Sequence, residues 1–177
     1  WPIFVIEGKN EAVNIPTMPG VQRLTIDKAI DAAKFAKKMG IPALCIFPCV
    51  DNALKSEMCE EAWNINNLSN RAVAAIKSAV PDILIMTDIA LDPYNINGHD
   101  GIVRNDVILN DETVEALVKM AIAQAKSGAD ILGPSDMMDG RIGSIRNALE
   151  SSGYYDVIIL SYSAKYASAF YGPFRDA

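Results

Sequence analysis

The sequence predicts an α/β fold built on a parallel sheet, and three observations support this prediction. Short apolar runs rich in branched residues alternate along the chain with segments whose apolar residues recur at helical spacing. Two of the helical segments end at a glycine that leads directly into the next apolar run, as expected where a helix passes into a strand. The runs are uniformly apolar, which is typical of parallel strands covered by helices.

Five apolar runs are predicted to be strands because each is short and rich in branched residues. They are Ile3 to Ile6, Ala43 to Phe47, Ile83 to Met86, Ile131 to Leu132, and Val157 to Leu160.

Helices are predicted in the segments between these runs. Apolar residues share one helical face from Ile26 to Ala36 and again from Val114 to Ala125. A third helix is predicted from Ser69, acting as the N-cap, to Ala79, and a fourth over Ile142 to Leu149. The alternation of strand and helix indicates repeated βα units.

Two architectures fit these units, a doubly wound sheet and a (β/α)8 barrel. Neither a GxGxxG nor a GxxxxGK[ST] loop follows the first predicted strand, which weakens the nucleotide-binding sheet. A complete barrel needs about 250 residues and eight units, more than this chain contains. Periodicity alone leaves both architectures open.

The composition fits one soluble globular unit, or a piece of one. The chain has 177 residues, of which 50% are hydrophobic, and a formal net charge of -6. This acidity argues against a nucleic-acid or anionic-membrane surface and favours a small-molecule ligand. No apolar run approaches the roughly 20 residues of a transmembrane helix.

The cysteines bear on the redox compartment of the protein, and the first residues bear on whether the chain is a piece of a longer one. Cys45, Cys49 and Cys59 form an odd set without a CxxC pair, and no signal peptide opens the chain, so we expect a reducing cytoplasm. Trp1 leads straight into a predicted strand, which suggests that the chain is cut from something longer.

Polar residues follow the predicted strands, where the active sites of both architectures lie. They are Glu7, Asp88, Ser135, Asp136, Ser161, Ser163 and Lys165. A carboxylate or amine beside buried strand residues is partly desolvated, and desolvation shifts its pKa. The alternative for any single one is a solvated side chain in a loop.

Lys165 stands out because no acidic residue follows it within the next ten positions. A lysine desolvated among small and aromatic neighbours loses its proton more easily and can form a Schiff base with a ketone or aldehyde. The alternative is an ordinary lysine whose stem packs on the surface while its amine reaches water.

The segment from Asp88 to Gly101 is a polar loop with three carboxylates and the single histidine of the chain. Oxygen-rich sites of this kind suit Mg²⁺ or another hard cation. The alternative is a turn rich in Asp, Asn and Gly with solvated charges.

Two further segments have functional and structural interpretations. Ser135 to Arg141 follows the fourth predicted strand and opens a helix, so it could bind an anion there, or Asp139 could cap the helix. Phe170 to Asp176 has the composition of a lid whose Arg175 clamps a substrate carboxylate, or of a plain surface turn.

Five motifs resemble one family, porphobilinogen synthase, also called 5-aminolevulinic acid dehydratase. They are MPGVQR (18–23), TDIALDPY (87–94), GHDG (98–101), GADILGPSDMMDGR (128–141) and SYSAKYASAFYGPFRDA (161–177). The resemblance implies a (β/α)8 TIM barrel, of which residues 1–177 hold about the first five strands as a single incomplete domain.

The resemblance also implies an activity, the condensation of two 5-aminolevulinate molecules to porphobilinogen in tetrapyrrole and haem synthesis. By motif position, Lys165 is the Schiff-base lysine for one substrate and Arg175 is its carboxylate clamp. Asp88 assists proton transfers, and Ser135 and Tyr171 line the pocket.

The metal loop resembles the aspartate version found in some members of the family. Where zinc-using relatives carry three cysteines, this chain has Ala90, Asp92 and Asp100. The resemblance therefore implies Mg²⁺, another cation or no metal at the active site, with Asp92 and Asp100 as candidate ligands, and argues against catalytic zinc.

The family's second Schiff-base lysine, in a Met-Val-Lys-Pro type motif, does not occur in these 177 residues. We therefore expect the isolated chain to be inactive. The arm that assembles a homo-octamer in the family is also missing, so the assembly of this chain stays open. Two alternatives are a single-lysine Schiff-base aldolase and a non-catalytic fragment.

Overall fold

The computed structural model describes residues 1–166, 168, 169 and 172. Short 3-10 turns lie at Asn52–Leu54 and Glu60–Trp63. The remaining regular elements, in chain order, are β1 (Pro2–Ile6), β2 (Ala12–Asn14), β3 (Gln22–Thr25), α1 (Ile26–Lys38), β4 (Ala43–Pro48), α2 (Leu68–Ala79), β5 (Leu84–Ile89), β6 (Val103–Arg104), β7 (Val107–Ile108), α3 (Asn110–Ser127), β8 (Ile131–Pro134), α4 (Arg141–Ser151) and β9 (Ile158–Ile159).

The strand order decides between the two architectures. In the described part of the chain, one sheet has the order β2-β3-β1-β4-β5-β8-β9, and β1, β4, β5, β8 and β9 are parallel neighbours. Helix α1 packs on α2, α2 on α3, and α3 on α4. A doubly wound sheet reverses its strand order, whereas this order advances in one direction from β1, as in a barrel sector. The barrel prediction is confirmed.

The core lies between the sheet and the helix layer. In β4, Leu44 and Ile46 are fully buried, and in β5, Ile85 and Ile89 are fully buried. Full burial of each such side chain contributes about 1.5–3 kcal/mol. Since strand side chains alternate between faces, Asp88 of β5 projects from the face opposite these core residues.

The five predicted strands are all present as β1, β4, β5, β8 and β9, with ends shifted by a few residues. The predicted glycine stops are also present, because Gly40 and Gly128 have φ values of 74° and 104°, a conformation that glycine adopts at little steric cost.

The N-cap prediction for α2 is wrong by two residues. The cap is Asn67, whose side-chain oxygen accepts a hydrogen bond of 2.8 Å from the backbone N–H of Asn70. Ser69 lies buried within the first turn. The asparagine replaces the predicted serine because its side-chain oxygen reaches the free amide of the first turn.

Strands β2 and β3 were not predicted. Their sequences, AVN and QRLT, are short and contain no apolar run of strand length, and β2 is exposed throughout. Strand β3 runs parallel to β1, and β2 pairs antiparallel with β3.

In the described residues, no helix is both long enough and apolar enough to cross a membrane.

Candidate active site

Asp88 lies at the end of β5, and Ser135 follows the end of the neighbouring strand β8. The Asp88 Oδ1 atom is buried and has no hydrogen-bond partner within the described part of the chain. Burial raises the pKa of Asp88 to about 7, and the negative charge of Asp92 raises it further. A hydrogen bond from Ser135 and the positive charge of Lys165 oppose this shift. Asp88 can therefore hold a proton near neutral pH.

Lys165 has an acidic partner that comes from a distant loop. Its Nζ donates a hydrogen bond of 2.6 Å to Oδ2 of Asp100. The Lys165 side chain is 25% exposed and that of Asp100 is 9% exposed. Because no acidic residue closely follows Lys165 in the sequence, the amine is predicted to have no ion-pair partner, and this detail is wrong. The 100–165 pair nevertheless lies within the electrostatic reach of Asp88.

The loop that carries Asp100 is held by its own side chains. Asn95 is buried, its Nδ2 donates to the carbonyl of Gly101 over 3.2 Å, and its Oδ1 accepts from the N–H of Asn97 over 2.7 Å. The Nδ1 atom of His99 accepts a hydrogen bond of 2.9 Å from the N–H of Gly101. The single histidine thus shapes the turn that presents Asp100.

Asp92 is the third carboxylate of this loop. Burial raises the pKa of Asp92 to about 6, and the charge of Asp100 adds to the shift. The positive charge of Lys165 lowers the pKa of Asp92. Asp88, Asp92 and Asp100 therefore all interact electrostatically with the same amine. A group of acids around a lysine is well suited to moving protons to and from it.

The candidate metal ligands Asp92 and Asp100 lie in the loop that follows β5. Among the described residues, no three His, Cys, Asp or Glu side chains come together in a group that could hold one. Asp100, one of the two candidate ligands, is already bonded to Lys165. The Mg²⁺ ligand set of Asp92 and Asp100 stays a prediction, and Asp100 would have to leave Lys165 to take part in it.

The loop after β8 is tied to the segment that carries Lys165. Arg141 Nε lies 3.0 Å from Oδ2 of the buried Asp136. The Arg141 guanidinium also donates to the carbonyl of Met138 over 3.0 Å and to that of Tyr162 over 3.2 Å. Arg141, Tyr162 and Lys165 line one polar cleft of about 280 Å³, together with Ser161 and Ser163.

The helix-capping interpretation of Asp139 is wrong. Helix α4 begins after Gly140, and no side chain caps it. The Asp139 N–H instead donates to Asn110 Oδ1 over 2.8 Å.

The structure does not bring every candidate into this site. Glu7 forms an ion pair with Arg71 of α2 in which both side chains are about half exposed. Tyr171 and Arg175 lie outside the described residues.

Sequence reasoning did not single out Tyr162 or Gln124. Burial raises the pKa of Tyr162, and the negative charge of Asp88 raises it further. The Tyr162 hydroxyl therefore interacts electrostatically with Asp88. Gln124 is buried on α3 seven residues after the buried Leu117, and seven residues return a helix to the same face. A polar residue on an apolar stripe was the signal that could have identified it.

The chemistry available here is the capture of a carbonyl compound. The site offers an amine, a carboxylate within hydrogen-bond distance of that amine, and a second carboxyl group able to carry a proton at neutral pH. Imine formation uses an amine as nucleophile, and a proton acceptor and a proton donor beside it accelerate the reaction.

The comparisons with known proteins point to one family. The model of the family described as delta-aminolevulinic acid dehydratase matches residues 1–177. The chain is 60% identical over 177 residues to the delta-aminolevulinic acid dehydratase of Rhodobacter capsulatus, covering 100% of this chain and 53% of the relative. It is 52% identical to that of Bradyrhizobium diazoefficiens, covering 100% and 50%.

A solved structure has nearly the same fold over this region. It is the delta-aminolevulinic acid dehydratase of Toxoplasma gondii ME49 in complex with the reaction product porphobilinogen. The TM-score is 0.97 at 49% identity, covering 99% of this chain and 50% of that one. The chain thus spans about half the length of the relatives it matches.

Proposed function

The chain belongs to the delta-aminolevulinic acid dehydratase family, and from this premise we propose that it captures one 5-aminolevulinate molecule as a Schiff base on Lys165. In the complete reaction two such molecules condense to porphobilinogen with loss of two waters. The observation that carries the proposal is the 2.6 Å contact between Lys165 Nζ and Asp100, beside an Asp88 whose pKa is about 7. Family membership sets aside the single-lysine aldolase.

The first step is the release of a proton from Lys165. A lysine nitrogen attacks only when its lone pair is free. Asp100 Oδ2 accepts a hydrogen bond from Lys165 Nζ and is therefore placed to take the proton. The neutral Nζ then adds to the substrate ketone, so that a C–N bond forms and the carbonyl electron pair moves to oxygen. Protonation of that oxygen and loss of the second nitrogen proton give a neutral carbinolamine.

The second step is the loss of water from the carbinolamine. The departing hydroxyl needs a proton, and Asp88, with a pKa of about 7, carries one in roughly half of the molecules at neutral pH. The C–O bond breaks as the nitrogen lone pair forms the C=N bond. The products are a protonated imine on Lys165, one water and an ionised Asp88, whose carboxylate Ser135 holds through its hydrogen bond.

The remaining contacts of the substrate follow from the family resemblance. We assign Arg175 to the substrate carboxylate, because an arginine binds it bidentately, and Tyr171 to the pocket wall. The second Schiff-base lysine of the family is not among these 177 residues. We therefore expect the chain alone to form the imine without producing porphobilinogen.

Reductive trapping tests this function. The chain is incubated with labelled 5-aminolevulinate and borohydride, and the labelled peptide is mapped by mass spectrometry. We expect label on Lys165 and none in Lys165→Met. Lys77→Met is the matched control, because Lys77 is also ion-paired but with Asp130, and it should keep the label. Label on other lysines only, or substantial porphobilinogen from the isolated chain, would contradict the proposal.

The expected assembly, location and substrate class of the protein follow from the same resemblance. We expect a cytoplasmic enzyme that acts on a small molecule and forms a homo-oligomer, octameric in the family, when the residues that assemble it are present. For the 177 residues alone the assembly stays open, and analytical ultracentrifugation of the purified chain measures it.

A further inference from the structure

Gln124 of α3 is bonded at both ends of its side chain to neighbouring residues of β5. Its Oε1 accepts a hydrogen bond of 2.6 Å from the hydroxyl of Thr87, and its Nε2 donates one of 2.9 Å to the backbone carbonyl of Asp88. Gln124 is 1% exposed and Thr87 is 0% exposed. A buried amide is tolerated because both of its polar ends are paired.

The carbonyl that Gln124 reaches has no donor in the sheet. Leu84 N–H donates to the carbonyl of Pro42, and the register then pairs Ile46 with Thr87. Parallel strands bond through every second residue, so the β4 nitrogen due opposite the Asp88 carbonyl is that of Pro48. Proline carries no N–H, and the ladder lacks a bond at this point.

We propose that Gln124 is a positioning residue that replaces this missing ladder bond and so fixes the end of β5 from which the Asp88 side chain departs. The carboxyl group of Asp88 must stay aligned with Ser135 and with Lys165 across the sheet, and a loose strand end would displace it. Displacement of about 1 Å can reduce a rate by 10²-fold. Gln124 touches no substrate and acts through the backbone of Asp88.

The expected effect on the rate of imine trapping rests on the proposed function, whereas the role of Gln124 in holding the end of β5 does not. In Gln124→Met the side-chain volume is kept and the donor is lost. We expect the rate of imine trapping on Lys165 to fall by about tenfold, with little change in the 5-aminolevulinate concentration that gives half the maximal rate. Ser127→Ala, which removes a side-chain bond to the carbonyl of Ala123 in the same helix, is the control and should keep the parent rate.

A second variant separates positioning from packing. Pro48→Ala restores an N–H opposite the Asp88 carbonyl, so Pro48→Ala/Gln124→Met should recover most of the lost rate. A packing defect on α3 would not be rescued by a backbone donor on β4. A folded Gln124→Met with the parent rate, or a double variant as slow as Gln124→Met, would overturn the inference.

A readout without substrate keeps the two proposals distinguishable. Carbon NMR of labelled aspartate follows the titration of Asp88 directly. We expect its midpoint to move in Gln124→Met and to return in the double variant, even if Lys165 traps no substrate. Absence of trapping with this NMR pattern would contradict the function alone, whereas an unmoved midpoint would contradict the positioning role.

Discussion

Lys165 Nζ lies 2.6 Å from Oδ2 of Asp100, a residue 65 positions earlier in the chain. Both side chains are largely shielded from water, at 25% and 9% exposure. A charge-assisted contact of this length is stronger than a neutral hydrogen bond. The pair joins the loop after β5 to the segment after β9, and in the function proposed above Asp100 is the proton acceptor for the Lys165 amine.

The first prediction concerns this acceptor. Asp100→Asn removes the negative charge and keeps the shape, so the Lys165 ammonium loses its local base. We expect imine trapping to slow by about 10²-fold, in the usual range for loss of a general base. Stopped-time reduction with borohydride measures the rate. Asp130→Asn, which breaks the Lys77 ion pair instead, is the control, and an equal loss there would point to destabilisation of the fold.

The second prediction concerns stability and pH. The pKa of Asp88 is raised to about 7 in the folded chain by burial, so the native state holds the proton more tightly than the unfolded state. This contribution is complete below about pH 4 and is lost as the pH rises through about 7. Between those values we expect the free energy of unfolding to fall by ~1–3 kcal/mol more in the parent than in Asp88→Asn.

Urea titrations of both proteins across this pH range measure the difference. Asp92, with its pKa raised to about 6 by burial, contributes in the same direction in both proteins, and only the part of its contribution that depends on the Asp88 charge differs between them. Parallel pH profiles for parent and Asp88→Asn would show that Asp88 ionises in the folded state as it does in water.

The third prediction concerns the thiols. Burial raises the pKa of Cys45 to about 12 and that of Cys59 to about 11, whereas Cys49 is exposed. Thiolates react and thiols do not, so iodoacetamide at mild alkaline pH should modify Cys49 first. Peptide mapping with and without urea checks this order, and rapid modification of Cys45 in the folded chain would contradict it.

The fourth prediction concerns metal. Because Asp100 is bonded to Lys165 and the described residues present no group of three metal ligands, imine trapping should be unaffected by EDTA or by added Mg²⁺. A loss of trapping in EDTA that Mg²⁺ restores would show that Asp92 and Asp100 rearrange around a cation.

Local patterns predicted most of the fold. The barrel strands and the glycine stops at Gly40 and Gly128 follow from short-range periodicity and backbone sterics, and they are present. Strands β2 and β3 were missed because they are short and lack an apolar run, and because their pairing comes from other strands: β3 pairs with β1, and β2 pairs with β3. No local pattern carries that information.

For the candidate site, the sequence predicts which residues lie near one another better than it predicts their contacts. Asp88, Ser135 and Lys165 follow strands, so position alone brings them to one edge of the sheet. The partnership of Lys165 with Asp100 depends on a loop folded by Asn95 and His99. Likewise, the role inferred for Gln124 depends on a proline in β4 that lies 76 residues away along the sequence. Such pairings arise only when the chain is folded.

The most direct test of the central claim is the state of the substrate ketone carbon on the protein. Carbon NMR of the chain with 5-aminolevulinate labelled at that carbon, and with nitrogen-labelled lysine, reports whether a C=N bond forms. We predict a resonance in the imine range that couples to nitrogen and disappears in Lys165→Met. A carbon that stays in the ketone range, or an imine that persists in Lys165→Met, would contradict the account.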